Sequence, residues 1–377
     1  MSSNPDSTVG IRYRGEVVYL FAYDVAYEMG RAPIKELLGQ PMTRYNVDAS
    51  KRNPRHLFFQ RPQMVSLPAE ERVGPHGAVR VEREIKVLPI GAISIRVRVP
   101  FAVQEIEELS QYHDLRFETS TLHDEVRALV SRIQKDLKPY IVRPIPEVAE
   151  EEAYTVFCFQ GPIAGAGQGT CRGEAWLELH RREVAALLTQ APNLSALSRQ
   201  ESMESTSKSL SYFEDDLVVI DWDAALLIDE CKEWEETLYV LELANLQLSE
   251  LEAYDRALDV TLERSYRDLR ARSLRGRGTL LQDLRELRID MARFNDELSN
   301  ITKFFGDWYM ARVYETVAAR FHLAEWNRTV VEKLRTVGDL HELLKHDQSN
   351  RWMMILEVTI VLLFIVDVGF LVAGIKR

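Results

Sequence analysis

The segment 161–173, Gly-Pro-Ile-Ala-Gly-Ala-Gly-Gln-Gly-Thr-Cys-Arg-Gly, is the first stretch whose residue types fit a chemical task. Glycines let backbone N–H groups close on an anion, and phosphate-binding loops use them at a helix N-terminus. The residues that follow, Glu174-Ala-Trp-Leu-Glu-Leu179, read as a strand, so the helix that the motif needs is missing. Gly-Lys-Ser/Thr and a suitably placed acid are missing too. The expected reading is a surface loop, with a nucleotide- or ligand-binding enzyme module as the alternative. His341-Glu342 and His346 resemble a zinc-protease motif, but five residues of separation place the histidines about 140° apart round a helix. No metal site and no cofactor are expected. Between 214 and 236, ten Asp and Glu stand against one Lys. A solvated acidic face is expected there rather than a metal cluster, because charge runs usually solvate.

A basic cluster has the opposite sign. Residues 264–293 hold nine arginines, at 264, 267, 270, 272, 275, 277, 285, 288 and 293, and no lysine. Asp268, Asp283, Glu286 and Asp290 leave a surplus of +5. Intrahelical pairing, as of Arg264 with Asp268, satisfies only some of them. Arg264, Arg267, Arg270, Arg272, Arg275 and Arg277 therefore form a candidate tip for an anionic partner, because guanidinium suits phosphate. That partner would be a lipid head group, RNA or a ribosome, or else an acidic patch on another copy.

The third feature is apolar. Met353 to Ile375 is 23 residues closed by Lys376 and Arg377. As a helix it measures about 34 Å, enough for a hydrocarbon core of about 30 Å. Two acids interrupt it, Glu357 and Asp367. Fifteen Leu, Ile, Val and Phe residues contribute roughly −5 to −9 kcal/mol of insertion free energy, against about 3 for Asp367. Insertion wins. Intramembrane acids need partners, so several copies are expected to associate with Asp367 turned inward; a small oligomeric channel lined by both acids is a further alternative. Lys333, Arg335, Lys345 and Arg351 precede the span, and the N-terminus has neither a signal peptide nor a transit-peptide pattern. The expectation is a tail anchor in the inner (cytoplasmic) membrane, with the N-terminal bulk in the cytoplasm.

The elements that must position these residues follow from periodicity. Residues 16–23 read as a strand, and 40–80 look irregular. Ile93-Ser-Ile-Arg-Val-Arg-Val99 alternates strictly, which predicts one buried and one solvated face. Helical patterns cover roughly 102–115 and 121–138. After a Pro and Glu linker at 141–152, strands are expected at 153–160 and 174–179 and a hairpin at 217–228. The expected organisation is an N-terminal α+β region (1–140), a second packed with it (153–229), a helical hairpin or coiled coil (230–350) and a transmembrane helix (353–375). The seam Leu280, Leu284, Leu287, Met291, Phe294, Leu298, Ile301 and Phe305 keeps 4-3 spacing throughout. A further helix from Trp308, bent near 321–323, leads into the span.

Composition bounds the rest. The 377 residues are 46% hydrophobic and 28% charged, with a net charge of −11. That excludes a disordered chain, a polytopic membrane protein and a uniformly basic nucleic-acid binder. Cys158, Cys171 and Cys231 are too scattered for a disulfide framework or a zinc ribbon and fit a reducing compartment.

The stretches 206–214 (TSKSLSYFE), 284–301 (LRELRIDMARFNDELSNI), 326–344 (WNRTVVEKLRTVGDLHELL) and 351–368 (RWMMILEVTIVLLFIVDV) occur in this order. The C-terminal half resembles the required-for-meiotic-nuclear-division family, in which a Leu-Glu pair opens the span and another acid lies further in. Leu356-Glu357 and Asp367 occupy those places. The resemblance implies a membrane-anchored, homo-oligomeric protein of non-enzymatic type. The expected function is a scaffold that self-associates through coiled coil and span and recruits partners on the cytoplasmic side.

Overall fold

The computed structural model of the chain describes residues 12–30, 32–45, 62–75, 77–89, 91–144, 152–161, 163, 172–191, 197–271, 285, 288, 289, 292 and 309–374. They divide into two compact units, Met1–Ala253 with Arg293–Trp326, and Tyr254–Ala292 with Asn327–Arg377.

The first unit is built on β1 (Tyr13–Asp24), β2 (Ala26–Met29), β3 (Glu36–Leu37), β4 (Gln40–Pro41), β5 (Thr43–Arg44), β6 (Gln63–Gly74), β7 (Gly77–Val87), β8 (Ala92–Val103), β9 (Ile141–Pro144), β10 (Glu152–Gln160), β11 (Ser209–Leu210), β12 (Leu217–Ile220) and β13 (Ala224–Asp229). Nine of these form one sheet in the order β11-β12-β13-β10-β1-β8-β7-β6-β5. Strands from the first 140 residues and from 153–229 thus share a single sheet. β1 pairs antiparallel with both β8 and β10, and β10 runs parallel to β13. Both faces of the sheet are covered at β1, which is why that strand reads as an almost continuous apolar run. One face, with Val17, Phe21, Ile85, Ile95, Val97 and Phe157, shares a core with α1 (Leu122–Leu137), α2 (Gly173–Leu188) and a 3-10 helix at Ile106–Tyr112. Thr121 starts α1 by accepting the N–H of Asp124. α3 (Arg199–Ser205) follows α2.

The opposite face lies under α4 (Trp234–Ala271). From Glu236 to Leu251 every residue of α4 is buried, on all sides of the helix. Asn245 donates to the backbone carbonyls of Leu20 (3.3 Å) and Glu152 (3.1 Å). α5 (Tyr309–Arg320) lies against it through Tyr314, whose hydroxyl donates to Gln247 Oε1 at 2.7 Å. Arg320 Nε donates to Asp221 at 2.9 Å. The chain then turns at Phe321–His322, where bending was expected, into α6 (Leu323–Gly374).

In the second unit, Leu258, Val330 and Val337 are fully buried, and Lys333 bridges Asp255 and Asp259, each at 2.7 Å. The seam residues Leu280, Leu284, Leu287, Met291, Phe294, Leu298, Ile301 and Phe305 lie outside the described residues. So does the rest of 272–308, except Arg285, Arg288, Ile289 and Ala292, which are helical.

Several expectations are corrected. Residues 63–87 are a long hairpin rather than irregular chain. Pro68 is accommodated at a register shift between Leu67 and Glu70, on a strand that β5 covers only at its start. Gly77, at φ 111°, makes the turn. Residues 102–115 are strand to Val103 and then the 3-10 helix. Residues 174–179 are the first turns of α2, not a strand. The local alternation there is accidental, since Leu179 is 73% exposed while Leu177 and Trp176 are buried. The longer spacing through Val184 and Leu188 decides the helix.

Candidate functional site

The alternating strand 93–99 is the largest correction, and it defines the most charged interior in the molecule. Ser94, Arg96 and Arg98 do point away from the apolar core, but Ser94 and Arg96 are buried and Arg98 is nearly so. Register sets Lys86 opposite Ser94 and Glu84 opposite Arg96 across β7 and β8. Above them, Glu235 and Glu242 are seven residues apart on α4, two turns along one face. Glu242 Oε2 accepts from Lys86 Nζ at 2.5 Å and from Arg96 at 2.6 Å, while its Oε1 accepts from Ser94 Oγ at 2.5 Å. Arg96 also donates to Glu235 at 2.7 Å. Arg98 pairs with Glu235 and reaches Glu16 of β1 at 3.3 Å. The Tyr45 ring caps Lys86 with its centroid 3.9 Å from Nζ, and Tyr239 packs on Tyr45 at 5.7 Å.

The electrostatics follow from this enclosure. Burial pushes the Glu242 carboxyl up, but Arg96 and Lys86 together outweigh it and hold it at about 2. Burial, and then Arg96, push Lys86 down to about 8 against the pull of Glu242. Burial raises the phenols of Tyr45 and Tyr239. Both oxygens of Glu242 are engaged and the guanidinium of Arg96 is 0% exposed. This arrangement ties α4 to the sheet in one register and offers no open position for a substrate.

The acids of 214–236 are a second correction, because four of the ten (Asp216, Asp221, Asp229 and Glu236) are buried. Asp216 accepts the N–H groups of Tyr212 (2.7 Å) and Phe213 (3.0 Å), Asp221 holds Arg320, and Asp229 accepts the N–H of Glu230. They order turns and dock α5. No group of three metal-ligating side chains occurs among the described residues. His341 and His346 are in α6, and their side chains are outside the description.

The Gly-rich loop meets one of its structural requirements after all, since α2 begins at its end. Only Gly161, Ile163, Arg172 and Gly173 of the segment are described. Gly173 packs against Leu217 Cβ and the Asp216 carbonyl with no room for a side chain, and its N–H donates to the Glu214 carbonyl at 2.9 Å. That glycine serves packing rather than an anion. Cys158 is buried and burial raises its thiol; Cys231 is exposed.

Of the arginine tip, Arg267 is exposed and pairs with Glu263 four residues before it at 2.9 Å. Arg264 and Arg270 are helical with side chains outside the description, and Arg272, Arg275 and Arg277 lie outside the described residues. Glu357 and Asp367 are both exposed on α6. They sit within Trp352–Leu371, a 20-residue stretch of mean hydropathy 2.5, none of it buried, which is long and apolar enough to cross a membrane. The buried tie of Lys86, Ser94, Arg96, Arg98, Glu235 and Glu242 escaped sequence reasoning. Its signal was the match between charges two apart on a strand and acids seven apart on a helix.

No solved structure matches the chain. A relative described as uncharacterized protein MJ0711, from Methanocaldococcus jannaschii, is 25% identical over 169 residues, covering 44% of this chain. The chain spans about half the length of that curated relative, 52% of it. A family model described as "Uncharacterized protein MJ0711, N-terminal domain" matches residues 14–234, from the second residue of β1 to the first of α4. The matched region therefore holds the whole sheet and the cationic side of the tie, and on this match the chain belongs to the MJ0711 N-terminal domain family.

Proposed function

We propose that the chain is a membrane-anchored, non-enzymatic scaffold whose head domain is held at an inner (cytoplasmic) membrane by α6. The observation that carries this reading is the exposure of Trp352–Leu371: twenty residues, apolar except for Glu357, Thr359 and Asp367, covered by nothing among the described residues. Single exposed apolar residues are ordinary, but a continuous helical surface of this size needs lipid or another apolar surface. Glu357 and Asp367 add a second demand, a polar partner within that environment, which copies of the same helix supply. Self-association through the span and the helical second unit, with the cytoplasm as the side of the head, follows from that demand and from the basic residues preceding the span. The order of the C-terminal stretches supports membership of the required-for-meiotic-nuclear-division group as the finer family placement. Arg264, Arg267, Arg270, Arg272, Arg275 and Arg277 would offer lipid head groups, RNA or a ribosome an anionic contact.

The test is fractionation of the full chain expressed in a bacterial host. It should remain with carbonate-washed membranes, and Leu362→Arg with Ile365→Arg should release it. A wild-type chain recovered in the soluble fraction would overturn the anchor. Crosslinking in those membranes should give multimers that Asp367→Leu depletes; monomers alone, unchanged by that substitution, would overturn self-association.

One observation favours a second reading. β10, the Gly-rich loop and α2 run in the order strand, loop, helix that phosphate binding requires. A melting shift with ATP or GTP that Gly167→Ala abolishes would favour a nucleotide-dependent module; the scaffold reading expects no shift.

A further inference from the structure

The two edges of the nine-stranded sheet are built differently. At the β6 edge, Pro68, the register shift beside it, and Glu70, Glu71 and Arg72 all oppose pairing with another strand. The β11 edge has no proline and no register shift. Its one charge, Lys208, alternates to the side opposite Ser209. The ladder also fixes where the backbone of Ser209 points. Ile220 N–H donates to the Lys208 carbonyl at 2.9 Å, and Asp221 N–H donates to the Ala224 carbonyl. Val219 therefore bonds towards β13, and Ser209, its partner across β11 and β12, directs its N–H and C=O outward.

A groove of about 890 Å³ lies between β11 and the first turns of α2, on the face of the strand that carries Ser209. Ser207, Ser209 and Ser211 line it from the strand side, and Glu174, Glu178 and Arg181 from the helix. Tyr212 and Phe213 stand exposed at its rim, held there by the two N–H bonds to Asp216. Its charges are unequal. Arg172 is paired with Glu214 at 3.1 Å, and Arg181 is engaged with Glu178 and with Thr206 Oγ1 at 2.7 Å. Glu174 has no ion pair among the described residues.

We propose that this groove is a docking site for an extended peptide segment of a partner protein, which adds as a strand to β11 and places a basic side chain against Glu174. The outward N–H and C=O of Ser209 supply main-chain pairing, the serine hydroxyls accept a polar side of the strand, and the uncompensated carboxylate sets the preferred charge. The site lies within the family-matched region and is independent of the membrane reading.

The test uses the full chain in neutral detergent with two labelled octapeptides, one alternating lysine and threonine and one alternating glutamate and threonine. Anisotropy should show the lysine peptide binding at least tenfold more tightly. Hydrogen exchange should show its binding slowing the amides of 209–211 by at least tenfold. Ser209→Pro removes an outward N–H and one groove hydroxyl but no bond of the sheet ladder, so it should abolish binding while the melting temperature holds. Glu174→Lys should erase the preference for the lysine peptide, and it decides the question if Ser209→Pro fails to fold. Equal binding of the two peptides, no protection at 209–211, or an unchanged affinity in both variants would overturn the proposal.

Discussion

α4 and α6 are both long helices, and each contradicts the usual relation between polarity and position. Residues 236–251 of α4 include Glu236, Glu242, Asn245, Gln247 and Glu250, and all are buried. Residues 352–371 of α6 are almost wholly apolar, and all are exposed. The first is explained inside the chain, because Lys86, Arg96, Ser94, Tyr314 and the Leu20 carbonyl provide partners for its polar groups. The second has no cover among the described residues, and the proposed membrane anchor would supply it. Burial thus depends on which partners the chain supplies, and an exposed helix is informative when its chemistry leaves it no other place.

The comparison can be broken most forcefully at Glu242. Glu242→Leu leaves Lys86 and Arg96 buried without their shared carboxylate, and breaking a buried pair in this way costs about 3–5 kcal/mol. Urea unfolding of the full chain in detergent should show that loss. The triple change Lys86→Met, Arg96→Met and Glu242→Leu should recover part of it, since well-packed apolar groups replace buried ions at little cost. If Glu242→Leu alone were neutral, the tie would not hold α4.

A change in α6 should separate the two helices. Leu362→Arg costs about 3 kcal/mol of insertion at the centre of the span. It should weaken membrane retention while leaving the urea midpoint of the head unmoved. A shifted midpoint would mean that α6 is covered by protein instead.

Acid sharpens the account further. The Glu242 carboxyl is held at about 2, below its usual value of 4.5. Its contribution is therefore complete above about pH 4.5 and is lost as pH falls towards 2. Lys86 adds a second window of the same pH sign, as a penalty relieved rather than a contribution gained. Its ammonium is pushed down to about 8 from 10.5, so the penalty of burying it charged is relieved as pH rises through that window. Melting temperature against pH should fall on the acid side in the wild type and flatten there in Glu242→Gln.

The smallest effect is expected at Asn245. Asn245→Ala removes two hydrogen bonds to the carbonyls of Leu20 and Glu152, and leaving them unsatisfied costs about 1–3 kcal/mol. Calorimetry should place this loss below that of Glu242→Leu.

Periodicity alone made the strands at β1, β8 and β10, the helix α1 and the hairpin β12–β13 legible, because each carries a clear repeat over enough residues. Six residues at 174–179 were too few to tell strand from helix, and only the downstream Val184 and Leu188 resolve them. The hairpin 63–87 was hidden by Pro68 and by glycines that read as breaks but sit at a register shift and a turn. The charge tie was hidden for a different reason. Alternation reports which residues share a face and does not report what covers that face; Arg96 looks the same in sequence whether water or Glu242 meets it. The apolar stretch of α6 was legible because its signal is local and cumulative, needing no tertiary partner to be seen.

The central claim is that α6 crosses a bilayer while the head is held by its own buried charges. Cysteine accessibility tests it most directly, on full-length chain in proteoliposomes with Cys158, Cys171 and Cys231 replaced by serine and single cysteines placed from 345 to 374. A spanning helix predicts continuous protection from about 353 to 371, with label reaching the two ends from opposite sides of the membrane. Protection that recurs every three to four residues, or label that enters along the whole stretch, would show a helix lying on a surface or in water and would contradict the account.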